Sequence, residues 1–185
     1  MNKQRSAPGE LERVRRFVNT QQLRRGTDLL SDTAGMAEWF AGEGLTAGFM
    51  RVTRPELARA IELREALRAV LAAHNGGGTV PAEASRAHDR AARLARLRLH
   101  FDDDGGASLV PEAKGVDGAL GRLLAIVHDS IAQGIWSRLK VCRDHECQWA
   151  FYDHTKNRSG AWCSMARCGN RAKARTWRGR HTAGG

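Results

Sequence analysis

No apolar run in this sequence approaches the ~20 residues a membrane-spanning helix needs. No apolar core follows the first methionine in MNKQRSAPGELERVRR either. On this reading the chain has neither a membrane anchor nor a secretory leader, and its place is the cytoplasm, where thiols stay reduced. It shows no internal repeat and no long disordered segment. Cysteine is scarce, with four in 185 residues, and in a reducing compartment that points to metal or redox chemistry rather than disulfides. Acid is short as well: 20 Asp and Glu stand against 30 Lys and Arg, a net charge of +10.

The shortage of acid is local. From Arg138 onward there are 11 Lys and Arg against 3 Asp and Glu, so this stretch carries +8 of the +10. A concentration of positive charge at one end suggests nucleic acid or another acidic surface as partner. A tail that only aids solubility is the alternative.

The first 137 residues read as helices with one hairpin, a mainly α, α+β region. Leu11, Val14 and Val18 form a helical stripe. Met36, Trp39 and Phe40 mark a short helix that Ser31, Asp32 or Thr33 can cap. Thr53-Arg54-Pro55-Glu56 has the form of a capping box with proline in the first turn. Leu57, Ile61, Leu67, Val70 and Leu71 supply that helix's apolar face, and the glycines after Asn75 stop it. A further helix is expected from Ala82 to Arg96. A β-hairpin follows from Leu97 to Val110, around Asp-Asp-Asp-Gly-Gly. Leu120, Leu124, Val127, Ile131 and Ile135 then make an amphipathic helix that leads into the cysteines.

Cys142, Cys147, Cys163 and Cys168 follow the pattern C-x4-C-x15-C-x4-C. Two close pairs joined by a hairpin-length spacer can supply the four tetrahedral corners of one structural zinc. A module of about 40 residues cannot build an adequate core alone, so a metal would make up the deficit. Trp149, Phe151 and Trp162 are expected on two short strands about a Lys-Asn-Arg-Ser-Gly turn. His145 lies inside the first pair, but four cysteines already complete a site. A helix is expected from near Ser164 to about Arg178. It would carry Arg167, Arg171, Arg175 and Arg178 on one side, facing away from the hairpin with no internal carboxylate to pair them. Trp177 is expected to pack inward.

The quartet Cys168-Gly169-Asn170-Arg171, with the cysteine spacing and the aromatic-rich CQWAFYDHTKNRSGAW, resembles the CGNR zinc finger. RFVNTQQLRRGTDLLSD and the helices around Trp39 and Leu57–Leu71 resemble ABATE, the N-terminal domain that accompanies this finger. The resemblance covers nearly the whole chain. It implies two parts, residues 1–137 and 138–185, the second a treble-clef-like hairpin plus helix. It also implies zinc on the four cysteines, and a role in stress-induced bacterial transcription regulation through DNA binding by the finger. Ser159-Gly160-Ala161 stands where the family often has Ser-Arg-Arg, which lessens the charge at that turn.

The expected function is therefore a non-enzymatic DNA-binding regulator. Arg167, Arg171, Lys173, Arg175, Arg178 and Arg180 would meet phosphates. Asn170 would either touch a base edge or brace the loop around the metal. Two other readings compete. Asp153-His154, Asn170 and His181 loosely match the His…Asn…His order of metal-dependent nucleases. The N-terminal region, too large for a linker, could instead sense a small ligand or redox state, or form a homodimer. Its polar groups Arg51, Arg64, His74, His100 and His128 are expected mostly at the surface.

Overall fold

The computed structural model of the chain describes residues 6–48, 50–76 and 78–182, with side chains as far as Arg178. Gly77 of the glycine run and the side chains of Arg180 and His181 lie outside the described residues. Among the described residues no helix is long and apolar enough to cross a membrane.

Three helices carry most of the core. Helix α1 (Leu11–Val18) buries Leu11, Val14, Phe17 and Val18. Helix α3 (Arg54–Ala73) starts on the expected capping box, in which the Glu56 carboxylate accepts the Thr53 N–H at 2.7 Å. Helix α5 (Gly115–Ala132) buries Val116, Ala119, Leu120, Leu123 and Leu124. These faces meet between the helices because each apolar stripe recurs at helical spacing. The short α2 (Thr33–Gly42) is capped by Asp32, which accepts the Gly35 N–H at 2.8 Å. Its Met36 and Phe40 close the core on one side.

Helix α4 (Ala82–Ala95) turns an alanine face, Ala84, Ala87, Ala91 and Ala95, inward. Small side chains allow close helix approach. At the nearest point only glycine fits: a Cβ on Gly121 of α5 would sit 2.6 Å from the Ala95 Cβ and 2.8 Å from the Pro111 Cβ. The hairpin of β3 (Leu97–Phe101) and β4 (Ala107–Pro111) forms where it is expected, with Leu97 opposite Pro111 and Phe101 opposite Ala107, although Leu99 and Phe101 lie exposed.

Sequence reading missed one element and misjudged one stripe. Strands β1 (Gln21–Gln22) and β2 (Thr27–Asp28) form a minimal hairpin about a 3₁₀ turn at Leu23–Arg25. Its residues lack the apolar alternation that betrays a strand. On α5 the expected stripe runs out before the helix does. Ile131 is 56 % exposed, while Ser130 beside it is buried, and Ile135 lies beyond the helix end at Ala132, half-buried against the core.

Strands β5 (Leu139–Val141) and β6 (Ala150–Tyr152) pair antiparallel, with Lys140 opposite Phe151. All six residues are buried. Leu139, Val141, Ala150 and Tyr152 belong to the same apolar cluster as Phe17, Leu67 and Leu123. The core thus runs without a break from the helices into the cysteine-bearing segment.

Polar joints reinforce this continuity. The N–H and C=O of Ala150 point away from β5, and Asn19 takes both: its Oδ1 accepts the N–H at 2.8 Å and its Nδ2 donates to the carbonyl at 2.9 Å. One side-chain amide thereby does what a third strand would do. At the end of α3, buried Asn75 donates to the carbonyls of Val141 at 2.7 Å and Ala161 at 3.0 Å. Arg68 donates to Gln148 O and Val18 O. Arg64, expected near the surface, is 1 % exposed and is paired with Asp28 at 2.7 Å and Glu65 at 2.8 Å. Its long stem fills core volume while its head finds carboxylates.

Candidate metal centre and nucleic-acid interface

The strands of the cysteine segment are not where the sequence placed them. They flank the first cysteine pair, not the Lys-Asn-Arg-Ser-Gly turn, so Cys142 and Cys147 lie in the β5–β6 connection and Trp162 lies on no strand. A side-chain hub organises the 153–160 segment instead. The Asp153 carboxylate, 0 % exposed, accepts from Lys140 Nζ at 2.8 Å, Thr155 Oγ1 at 2.7 Å, Thr155 N at 3.0 Å and Gly160 N at 2.7 Å. Burial alone would raise its pKa. Lys140 and the other donors outweigh that and hold it at about 2. Lys140 also donates to Arg158 O at 2.5 Å, so one buried ion pair fixes both ends of the loop.

The first cysteine pair sits in a tight turn, in which the N–H groups of Cys147 and Gln148 both donate to Asp144 O, at 2.8 and 3.0 Å. The second pair is positioned by the start of the last helix. A π-helical turn at Met165–Gly169 runs into α6 (Asn170–Thr182), and Cys168 N donates to Ser164 O. Gly169 lies buried under the Met165 side chain, which would have to shift to admit a larger residue. A Cβ there would lie 2.7 Å from Met165 Sδ and 3.3 Å from the Trp162 ring.

This folding gathers the four thiols, with ligand atoms all within 4.8 Å of one another. Cys163 Sγ is 3.6 Å from Cys147 Sγ and 3.7 Å from Cys168 Sγ. Tetrahedral zinc with ~2.3 Å bonds sets its sulfurs ~3.8 Å apart. Cys142 and Cys168 are buried and the other two half-buried. Sulfurs this close compete for charge. Hydrogen bonds from Cys147 and Cys163 pull the Cys142 thiol down to about 4, and the contacts of Cys163 with Cys142 and Cys147 push Cys163 far up. A divalent cation relieves that competition by replacing the shared protons. The donor set therefore fits a soft-ligand metal site, closed by four protein ligands. His145 is exposed and outside the cluster.

Helix α6 corrects the expectation about its arginines. The face bearing Arg171 and Arg175 turns toward the first cysteine turn, not away from it. Arg171 Nη2 donates to Cys168 Sγ at 3.2 Å, a contact that raises the guanidinium's pKa further. Arg171 Nε lies 3.5 Å and Arg175 Nη2 lies 3.6 Å from the carboxylate of Asp144, an internal partner that sequence reading discounted. The opposite face carries Asn170, Lys173 and Trp177 at i, i+3 and i+7, a spacing that aligns them on one stripe. All three are exposed, as is Arg167 one turn earlier. Trp177 is 60 % exposed rather than packed inward. Arg167 and Lys173 make no ion pair among the described residues. Asn170 Nδ2 donates at 3.4 Å to Ala166 O in the preceding turn, and Arg178 is exposed.

The groups named for the competing readings are scattered. His154 is exposed, with Nε2 2.9 Å from Ser6 O and its ring against Tyr152, while Asp153 beside it is consumed by its hub. His74 is half-buried. Its Nδ1–H donates to Leu139 O at 2.9 Å and its ring meets Trp136 edge-on. Burial lowers its pKa despite that bond. His100 and His128 lie at the surface beside Asp102 and Asp129.

Comparison with known families agrees with this geometry. A model for the CGNR zinc finger matches residues 138–181, and the ABATE model, described as "putative stress-induced transcription regulator", matches residues 12–133. No protein of curated function matches the chain. With two-thirds of its length matched by one family model and the four-cysteine cluster inside the other, the chain belongs to the ABATE family and carries a C-terminal CGNR zinc finger.

Proposed function

We propose that this protein is a cytoplasmic transcription regulator that binds DNA through α6, with one structural zinc on Cys142, Cys147, Cys163 and Cys168. The zinc would fix where the helix leaves the body and supply no reactive coordination position, since four thiolates close it. The observation that carries the reading is the exposed stripe Arg167, Asn170, Lys173 and Trp177, on a helix anchored at a four-thiol cluster in the most basic part of the chain.

Each group on that stripe has a role. Arg167 and Lys173 offer cations to phosphates, and Asn170 offers an amide able to pair with adenine. Trp177 offers an apolar face at the same surface. Arg171 and Arg175 have first to leave Asp144 before they can meet phosphate. The N-terminal helices would serve as the sensing part, the source of any response to a small ligand.

Selection of bound fragments from random duplex DNA tests the reading, and enrichment of one motif is expected. Changing Arg167 and Lys173 together to Gln should leave metal content at one per chain. It should also reduce the slope of log affinity against log salt by about two, since each phosphate contact contributes ~0.9. No enriched motif, together with a salt slope unmoved by that pair of changes, would refute the proposal.

A further inference from the structure

Asp144 lies between the first two cysteines and is 1 % exposed. Its backbone is pinned by the turn that holds Cys147. Its carboxylate meets three cations from opposite ends of the chain. Arg24 Nη2 donates to Oδ2 at 2.8 Å, Arg171 Nε stands 3.5 Å from the same oxygen, and Arg175 Nη2 stands 3.6 Å from Oδ1. Arg24 also reaches Glu146 at 3.1 Å. It comes from the 3₁₀ turn of the β1–β2 hairpin, in the ABATE part.

The three contacts are unequal. Arg24 makes a short, charge-assisted hydrogen bond. The two helix arginines lie beyond normal hydrogen-bond range, so they interact by charge alone. Arg171 Nε is buried and makes no hydrogen bond, on Asp144 or elsewhere. The hold of α6 on this carboxylate is therefore loose, while that of Arg24 is tight. A buried carboxylate cannot be left without a cation except at high cost. A phosphate drawing Arg171 and Arg175 off Asp144 would incur that cost unless another cation stays behind, and Arg24 is placed to stay.

We infer that Arg24 is a positioning residue for the DNA-binding helix: by holding the Asp144 carboxylate, it frees Arg171 and Arg175 to exchange that carboxylate for phosphate. The inference rests on the proposed DNA binding by α6. It makes the β1–β2 hairpin the point at which a change in the N-terminal region reaches the helix, with Asp144 as the shared counter-charge.

A double-mutant cycle on the full, metal-loaded chain tests it, with Arg24→Gln, Asp144→Asn and the pair of changes together. Metal content and helical signal are checked for each. Arg24→Gln should weaken DNA binding roughly 3- to 10-fold, within the range of coupled neighbours. It should also flatten the salt slope by more than the single unit that one lost phosphate contact explains. In the Asp144→Asn background it should do nothing further. A loss that persists unchanged in that background would mean that Arg24 acts on DNA directly, and an unaltered affinity in Arg24→Gln would mean that it does not act at all. Either result overturns the inference. If Asp144→Asn loses metal, Arg24→Lys decides instead: it keeps the charge and should restore most of the affinity lost in Arg24→Gln, and failure to do so counts against the inference. The same coupling is read in the free chain from the guanidinium Nε–H resonances of Arg171 and Arg175. These should shift in Arg24→Gln, and unmoved resonances refute the inference whether or not the wild-type chain binds DNA.

Discussion

Replacing Asn19 with alanine removes the joint between α1 and β6 without touching a metal ligand or a basic residue. Asn19 is 7 % exposed and Ala150 is 0 % exposed, so water cannot replace the lost bonds. Two hydrogen bonds, at 2.8 and 2.9 Å, disappear, each contributing about 1 kcal/mol. The Ala150 carbonyl keeps a longer bond from Arg15 at 3.3 Å, but its N–H is left with no acceptor, which costs about another 1–2 kcal/mol. The sum is about 3 kcal/mol. For a chain of this size that corresponds to a fall in Tm of about 6–12 °C. Thermal unfolding followed at once by far-ultraviolet circular dichroism and tryptophan fluorescence measures it, and both signals should move together in one transition. A fall of less than ~2 °C would refute the view that Asn19 serves as a third strand. Two separate transitions, with the helical one unmoved, would refute the shared core.

Removing the metal with a chelator, or changing Cys168 to Ser, should lower the temperature of the whole transition rather than melt a C-terminal piece alone; a helical melt unaffected by chelation would contradict this. Acid should weaken the fold through Asp153, whose pKa of about 2 lies below the ordinary 3.8. Its contribution of about 2 kcal/mol is complete above pH ~4 and is lost as pH falls toward 2, and denaturant midpoints measured between pH 5 and 2.5 should show it. Lys140→Met leaves that carboxylate buried without its cation and should cost about 3–5 kcal/mol. A stability loss below 1 kcal/mol in urea unfolding would show that the hub is held by Thr155 and Gly160 alone.

The helices and the β3–β4 hairpin were legible because their signals are local. The Thr53-to-Glu56 cap, the alanine-rich face of α4 and the alternation around Asp102-Asp103-Asp104 each lie within a few residues of the structure they specify. The four-thiol cluster was legible from spacing, since two close pairs suit one ion. What escaped depends on partners far along the chain. Asn75 reads from the sequence only as the start of a helix stop and Asn19 carries no local signal, yet each meets the cysteine segment more than 60 residues away. Lys140 gave a faint signal, a lone cation in the alternating run Leu139-Lys140-Val141, and its partner Asp153 was read only as a companion of His154. The basic face of α6 was misread for a similar reason. Helical spacing says which side chains share a face but not which way the face points; Cys168 has to face the thiol cluster, and Arg171 and Arg175, three and seven residues on, share its side of the helix.

The arrangement explains why a small metal-binding segment needs a large helical neighbour. Four thiolates on a divalent ion would leave an excess of negative charge, and Arg171 beside Cys168 offsets part of it. Metal bonds alone would fix only the two turns that carry the cysteines. The strands that flank the first of these turns have no core of their own, and all six residues are buried against α1, α3 and their own pairing. The N-terminal helices therefore supply the apolar floor, while Asn19, Arg68 and Asn75 supply the polar groups along its edges. The cysteine cluster in turn fixes the direction in which α6 departs. On the proposed role of Arg24, the β1–β2 hairpin reaches α6 through a single carboxylate, Asp144, which contacts Arg24, Arg171 and Arg175.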